Sequence, residues 1–249
     1  KPIYQNENQY SKGARVGIIN RERAIGKYYA LCEGDDYWND PNKLQKQVDF
    51  LEQNEDFSVC VHSATIIDSN TKKKIGKIRP CKTNKIFSIQ EIIEGGGGLF
   101  PTNSMVYRRD MGNERPDFYF NNKFSFGDYQ LMILLAIIGK VYYIDENMST
   151  YRYNVPGSWS SRNMNNATKL IKHNEELSDV LDSVNEYTKF KYDHIIQKTK
   201  EKNSFYLLVN LGKIKEAKSG LYMNYYNELS LKNKVSINLK SYFPKLHRL

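Results

Sequence analysis

The sequence is poor in the residues that would declare a chemistry outright. It has three cysteines, Cys32, Cys60 and Cys81, and no CxxC pair. An odd count without paired spacing suggests neither a disulfide framework nor a zinc site. Cys32 and Cys60 fall in apolar runs and read as small core residues of a protein kept in a reducing, cytoplasmic setting. No long hydrophobic run exists. The longest, Leu131 to Ile138, has eight residues, against the roughly 20 that a bilayer-crossing helix needs. The opening residues, KPIYQNENQY, lack the charged-then-apolar pattern of a secretory leader. No internal repeat is evident, and no nucleic-acid-binding motif appears. Four glycines stand together at Gly95 to Gly98, but without the GxxxxGK[ST] or GxGxxG context that would make them a phosphate loop.

Net charge is also missing from most of the chain. Of 37 basic and 28 acidic residues, 24 of each lie before Lys189, and 13 basic and 4 acidic follow. The whole excess of +9 therefore sits in the last quarter. Such a tail suits an anionic partner. The expectation is peripheral contact with the inner face of a cell membrane and no nucleic-acid partner. A solvated, Lys-rich helical surface accounts for the same charge.

What is present is an alternation of strands and helices. Lys27 to Glu33 reads as a buried strand ended by an acidic cluster. Asp40-Pro41 reads as a helix start, with Leu44, Val48 and Leu51 at helical spacing through Gln53. Phe57 to Ile67 and Ser104 to Arg108 read as strands, and Ser88 to Glu94 as a short helix. Asp128 to Ile138 reads as a buried helix capped at Gly139, Lys140 to Asp145 as a strand, and Tyr151 to Arg162 as a loop. From about Asn163 the periodicity is helical, for example Leu207, Leu211, Ile214 and Leu221. The fold class expected is α/β and layered, in two parts, 1–162 and 163–249.

The densest cluster is LCEGDDYWNDPN, residues 31–42. Glu33, Asp35 and Asp36 repel one another, so the crowding needs a reward. A divalent cation supplies one, because Mg²⁺ is held by one or two carboxylates and by substrate phosphates. An acidic loop that only leads into the next helix is the plainer alternative.

The stretch from Gly26 to Leu51, GKYYALCEGDDYWNDPNKLQKQVDFL, resembles the family 2 glycosyltransferases of the GT-A fold. The shared order is a strand after G-[EK]-Y, a D-x-D-type acidic motif, an aromatic, then D-P-x-K-L and an amphipathic helix. Gly127-Asp128 before an apolar helix, the strand start Gly139-Lys140 and the pair Tyr151-Arg152 are similar to the later part of that family's catalytic domain. The likeness runs from about Tyr4 to Ser161.

The resemblance implies a GT-A-type three-layer domain with a basic helical C-terminal region. It implies an inverting transferase that moves a sugar from a nucleotide-diphosphate sugar to a saccharide or lipid-linked acceptor, in cell-surface polysaccharide or glycoconjugate synthesis. Asp35, Asp36 and, with its longer side chain, Glu33 would hold Mn²⁺ or Mg²⁺ and the diphosphate. Asp128 would be the catalytic base, although Asp is also a favoured N-cap. Lys12, Arg15 and Gly34 would lie near the nucleotide. Trp38, Gly127, Asn154, Ser158 and Trp159 would shape the acceptor side, with Asn154 near the place where relatives carry a histidine. Surface exposure of Lys12 and Arg15, and core packing of Trp38, are the structural alternatives. Family members open with a strand–helix–strand unit that holds the base, typically from a VSVIIP-like strand. No such strand precedes the acidic cluster here, so the expectation is an N-terminally truncated catalytic domain, weak in nucleotide binding by itself. A non-catalytic binding or assembly module of the same fold is the other reading.

Overall fold

A computed structural model describes residues 6, 7, 9, 12, 16–112, 116, 119, 127–158 and 166–242. The chain is mixed α/β, with a curled mixed sheet and a helical C-terminal part. A helix, α1 (Val16–Arg23), precedes the first strand. Among the described residues seven strands follow: β1 (Tyr28–Ala30), β2 (Tyr37–Trp38), β3 (Phe57–Asp68), β4 (Lys74–Ile78), β5 (Lys85–Phe87), β6 (Val106–Arg108) and β7 (Lys140–Tyr153). The spatial order is β1-β6-β3-β7-β2, with β4 paired to β3 and β5 to β7. Only β3 and β7 run parallel. The other pairings are antiparallel.

This order fixes the position of the acidic loop. β1 and β2 are at opposite ends of the strand order, yet only six residues join them. The loop 31–36 must therefore cross the ends of the intervening strands. The strand read at Lys27 to Glu33 is shortened to Tyr28–Ala30 and is only half-buried. An edge strand with one neighbour has one protected flank. β7 is longer than the sequence suggests, since Tyr151 to Tyr153 pair with Ile66 to Asp68 and are not loop.

Alternation along the strands divides the apolar side chains between two faces. Val59, Val61, Tyr107, Val141 and Tyr143 pack with α3 (Ile89–Gly95) and α4 (Gly127–Ile138). Cys60, Val106, Ile144 and Met148 pack with Leu51 of α2 (Lys43–Gln53). Ser88 caps α3 through a reciprocal capping box with Glu91, and α4 is buried from Tyr129 to Leu135. Gly139 is needed for space: a Cβ there would lie 2.8 Å from Ser58 Cβ and 2.9 Å from its backbone N.

α2 departs from its sequence pattern. Its buried face is Lys43, Gln47 and Leu51, while Leu44 is exposed. The helix also starts two residues after Pro41. Asp40 Oδ1 accepts from Asn42 N at 2.8 Å, closing a turn ahead of the helix. Apolar spacing alone pointed to the adjacent face, because it ignored the polar groups that the sheet needs to satisfy.

The C-terminal part comprises α5 (Ala167–Tyr187), α6 (Asp193–Asn210), α7 (Ile214–Ala217), α8 (Met223–Glu228) and α9 (Leu231–Tyr242). Val180, Leu181 and Val184 of α5 and Ile196 of α6 join the same apolar cluster as Val59 and Ile133. The change at about residue 163 is one of architecture, from sheet to helices, over a shared core. No helix among the described residues is long and apolar enough to cross a membrane.

Candidate functional site

The site forms where the acidic loop passes over a single turn. Residues Thr102–Ser104 make a 3₁₀ turn just before β6. Asn103 is fully buried within it. Its amide nitrogen donates to Asp36 Oδ2 at 2.7 Å and to the Thr150 carbonyl at 3.2 Å. Its amide oxygen accepts from Ser149 Oγ at 2.6 Å, and its carbonyl accepts from the Trp38 indole at 2.9 Å. One residue, through its side chain and its carbonyl, thus ties the acidic loop, β7 and β2 together.

Thr102, its neighbour, faces the other carboxylates. Its hydroxyl donates to Asp128 Oδ2 at 3.2 Å, and it favours the ionised form of Glu33. Asp128 Oδ1 accepts from Tyr129 N at 2.7 Å, at the start of α4. Asp36 and Asp128, 92 positions apart in sequence, are therefore gripped by adjacent residues of one turn. Sequence reasoning missed Thr102 and Asn103. A short polar turn carries no periodicity, so nothing local distinguished it.

Arg152, on β7, makes the next contacts to the acidic loop. Its backbone N donates to Asp36 Oδ1 at 2.9 Å, and its Nε donates to the Asp35 carbonyl. Both oxygens of Asp36 thus accept hydrogen bonds. The Asp35 carboxylate receives none from the described residues, and Asp35 is half-buried.

Crowding sets the electrostatics. Glu33 is exposed as a residue, but its carboxyl end is hemmed in. Desolvation pushes it up to about 7, with Asp36 and Asp128 adding repulsion and Thr102 opposing. Burial also pushes Asp36 up, opposed by Arg152 N and Asn103 and helped by Asp35. Such a cluster gains most from a cation. Among the described residues no group of three or more His, Cys, Asp or Glu is arranged as a metal cage. The donor set fits a hard divalent cation that takes its other ligands from water and phosphate. Asp35 offers an uncommitted carboxylate, and Asp36 keeps one lone pair on each oxygen.

The glycine run serves Asp128. Gly96 adopts φ +67° and caps α3, its N–H bonded to the Ile92 carbonyl at 3.2 Å. Gly96 and Gly97 then line a cleft with Phe100, Met105, Asp128, Tyr129 and Met132. Bare backbone and apolar side chains flank the carboxylate. His173, from α5, lies within electrostatic reach of Asp128. Burial lowers its pKa, against the pull of Glu176 and Asp128.

The remaining expected residues are scattered. Trp38 has Lys43 Nζ 4.3 Å above its ring, which with its indole bond makes it a packing residue on that face. Gly34 is exposed with open space around it, and Gly127 opens α4. Asn154 has φ +60° and donates to Asp68 Oδ2 at 2.8 Å, so its amide is not brought to the carboxylates. Ser158 is half-buried, its N bonded to the Val155 carbonyl. Lys12 is exposed and pairs with Glu7, not with the acidic loop. Arg15 and Trp159 lie outside the described residues.

No family model matches the chain. It is 34% identical over 138 residues to the uncharacterized proteins Rv1520 of Mycobacterium tuberculosis and Mb1547 of Mycobacterium bovis. The matched segment is 55% of this chain and 38% of each relative, so the chain matches well under half of their length.

Proposed function

We propose that the chain carries the catalytic centre of an inverting glycosyltransferase that moves a sugar from a nucleotide-diphosphate sugar to a saccharide or lipid-linked acceptor. One observation carries the reading. A single turn holds Asp36 of the acidic loop through Asn103 and a separate carboxylate, Asp128, through Thr102. Transfer chemistry needs both sets, because one must stay ionised against a diphosphate while the other accepts a proton. The resemblance of residues 26–51 to the family 2 enzymes supports the same assignment.

In this reading Asp128 takes the proton of the acceptor hydroxyl. The acceptor oxygen forms its bond to the anomeric carbon as the bond to the diphosphate oxygen breaks, and the nucleoside diphosphate leaves with that electron pair. Attack from the opposite face inverts the anomeric centre. Tyr129 N and the Thr102 hydroxyl each occupy one oxygen of Asp128 and fix its plane. Each oxygen keeps a lone pair for the incoming proton. Asp35 and Asp36 would hold Mg²⁺ or Mn²⁺, which when bound neutralises diphosphate charge. Phe100, Met105 and Met132 give the cleft beside the base an apolar lining.

The test is sugar transfer and nucleotide binding by Asp128→Asn. Transfer should vanish while nucleotide binding persists. A parent chain, assayed within its full-length protein, that transfers no sugar from any nucleotide sugar supports the non-catalytic module instead.

A further inference from the structure

The last helix presents a surface that the sugar-transfer reading does not use. α9 has the sequence LKNKVSINLKSY, with three lysines and no acidic residue. Leu231, Val235 and Leu239 are 81%, 56% and 50% exposed. At about 100° per residue these three span about 80° of the helix circumference. Lys232 falls about 20° beyond one border of that stripe and Lys234 about 60° beyond the other. Ile237, on the opposite side, is buried. The border towards Lys234 rests on the protein: Asn238 Oδ1 accepts from Lys218 Nζ at 2.5 Å, and half-buried Lys234 donates to the Asn227 carbonyl at 2.8 Å while keeping its charge.

An apolar stripe bordered by lysines is the form of a helix that lies in a membrane interface, its aliphatic side among acyl chains and its lysines at the headgroups. Charge selects among occupants. A second copy would bring another acid-free helix from a region with a +9 excess, so like charges would meet. Nucleic acid offers the lysines phosphates but leaves the stripe in water. An anionic lipid surface satisfies both halves. We infer that α9 is a peripheral membrane-docking helix, inserted through Leu231, Val235 and Leu239 and selective for anionic lipid through Lys232 and Lys234. The inference stands apart from the reading of the carboxylates.

The intact chain is tested by flotation with vesicles of phosphatidylcholine alone or with added phosphatidylglycerol. It should float only with the anionic vesicles, less so as salt rises. The triple change Leu231→Ser, Val235→Ser, Leu239→Ser should abolish flotation, and Lys232→Glu with Lys234→Glu should weaken it roughly tenfold or more. Circular dichroism checks the fold. If the triple variant misfolds, Leu231→Ser alone and the lysine pair decide. No flotation with anionic vesicles overturns the inference, as does flotation unchanged by these variants. A dimer that the triple change splits, with no vesicle binding, assigns the stripe to a second copy and overturns it equally.

Discussion

The hydroxyl of Thr102 donates to the carboxylate of Asp128 at 3.2 Å, across 26 residues of sequence. The same residue favours the ionised form of Glu33. A hydroxyl has one proton, so it donates to one carboxylate at a time and orients that one. With the Tyr129 amide on the other oxygen, the plane of Asp128 is set from both sides.

Replacing Thr102 with Val should lower kcat roughly tenfold through misorientation of the base. KM for the donor should stay within a factor of about two. Thr102→Ser should restore most of the loss. Steady-state kinetics on the three proteins checks this, and an equal fall in donor affinity would count against a positioning role.

Cation dependence should separate the acidic residues. Chelation should stop transfer, and Asp35→Asn should weaken Mn²⁺ binding in the presence of nucleoside diphosphate by about tenfold or more. Isothermal titration gives the number. Transfer that survives chelation would leave the acidic loop as a helix entry only.

Asn103→Ala should destabilise the chain by roughly 3 kcal/mol, since it leaves Asp36 Oδ2 and the Ser149 hydroxyl without a buried partner. Denaturant unfolding measures it. A loss below about 0.5 kcal/mol would mean that the turn holds its place without this side chain.

Lys43 is 1% exposed, and its amine has no hydrogen-bond partner among the described residues. Burial lowers its pKa to about 8. Lys43→Met should leave stability unchanged or raise it by about 1 kcal/mol, because it removes a desolvated charge at the cost of one cation–ring contact. Thermal unfolding of the two proteins decides.

Buried His62 sets a pH dependence. Nδ1 lies 2.9 Å from the Ser63 carbonyl, so it carries the proton, and Nε2 has no partner among the described residues. Burial holds the ring neutral, lowering its pKa from 6.5 to about 3. Below 6.5 the unfolded chain takes up a proton that the folded chain refuses. His62 should therefore cost about 1.4 kcal/mol of stability per pH unit as pH falls from 6.5 towards 3, and nothing above that window. His62→Gln should flatten this part of the profile, measured as the difference from the parent.

The elements with strong local signals were legible. The apolar run from Leu131 to Ile138 declared a buried helix. Ser88 to Glu94 declared a short helix, which the structure has at Ile89–Gly95. α2 was legible as a helix but not in its facing, since Leu44 obeys the spacing while Lys43 and Gln47 take the interior. The β1 strand was overestimated and β7 underestimated. Pairing partners set strand length, and a sequence does not display them.

The candidate site divides in the same way. The chemistry of the 33–36 loop and of Asp128 was in the sequence, because charge density and motif order are local properties. That one turn would clamp both sets was not. Thr102 and Asn103 are ordinary residues until the sheet order carries the acidic loop from one edge strand to the other, across that turn. The sequence by itself determined which carboxylates exist and which helices can form. Only the tertiary structure decided which of them meet, because meeting depends on which strands pair, and backbone hydrogen bonds between distant segments leave no mark on either segment alone.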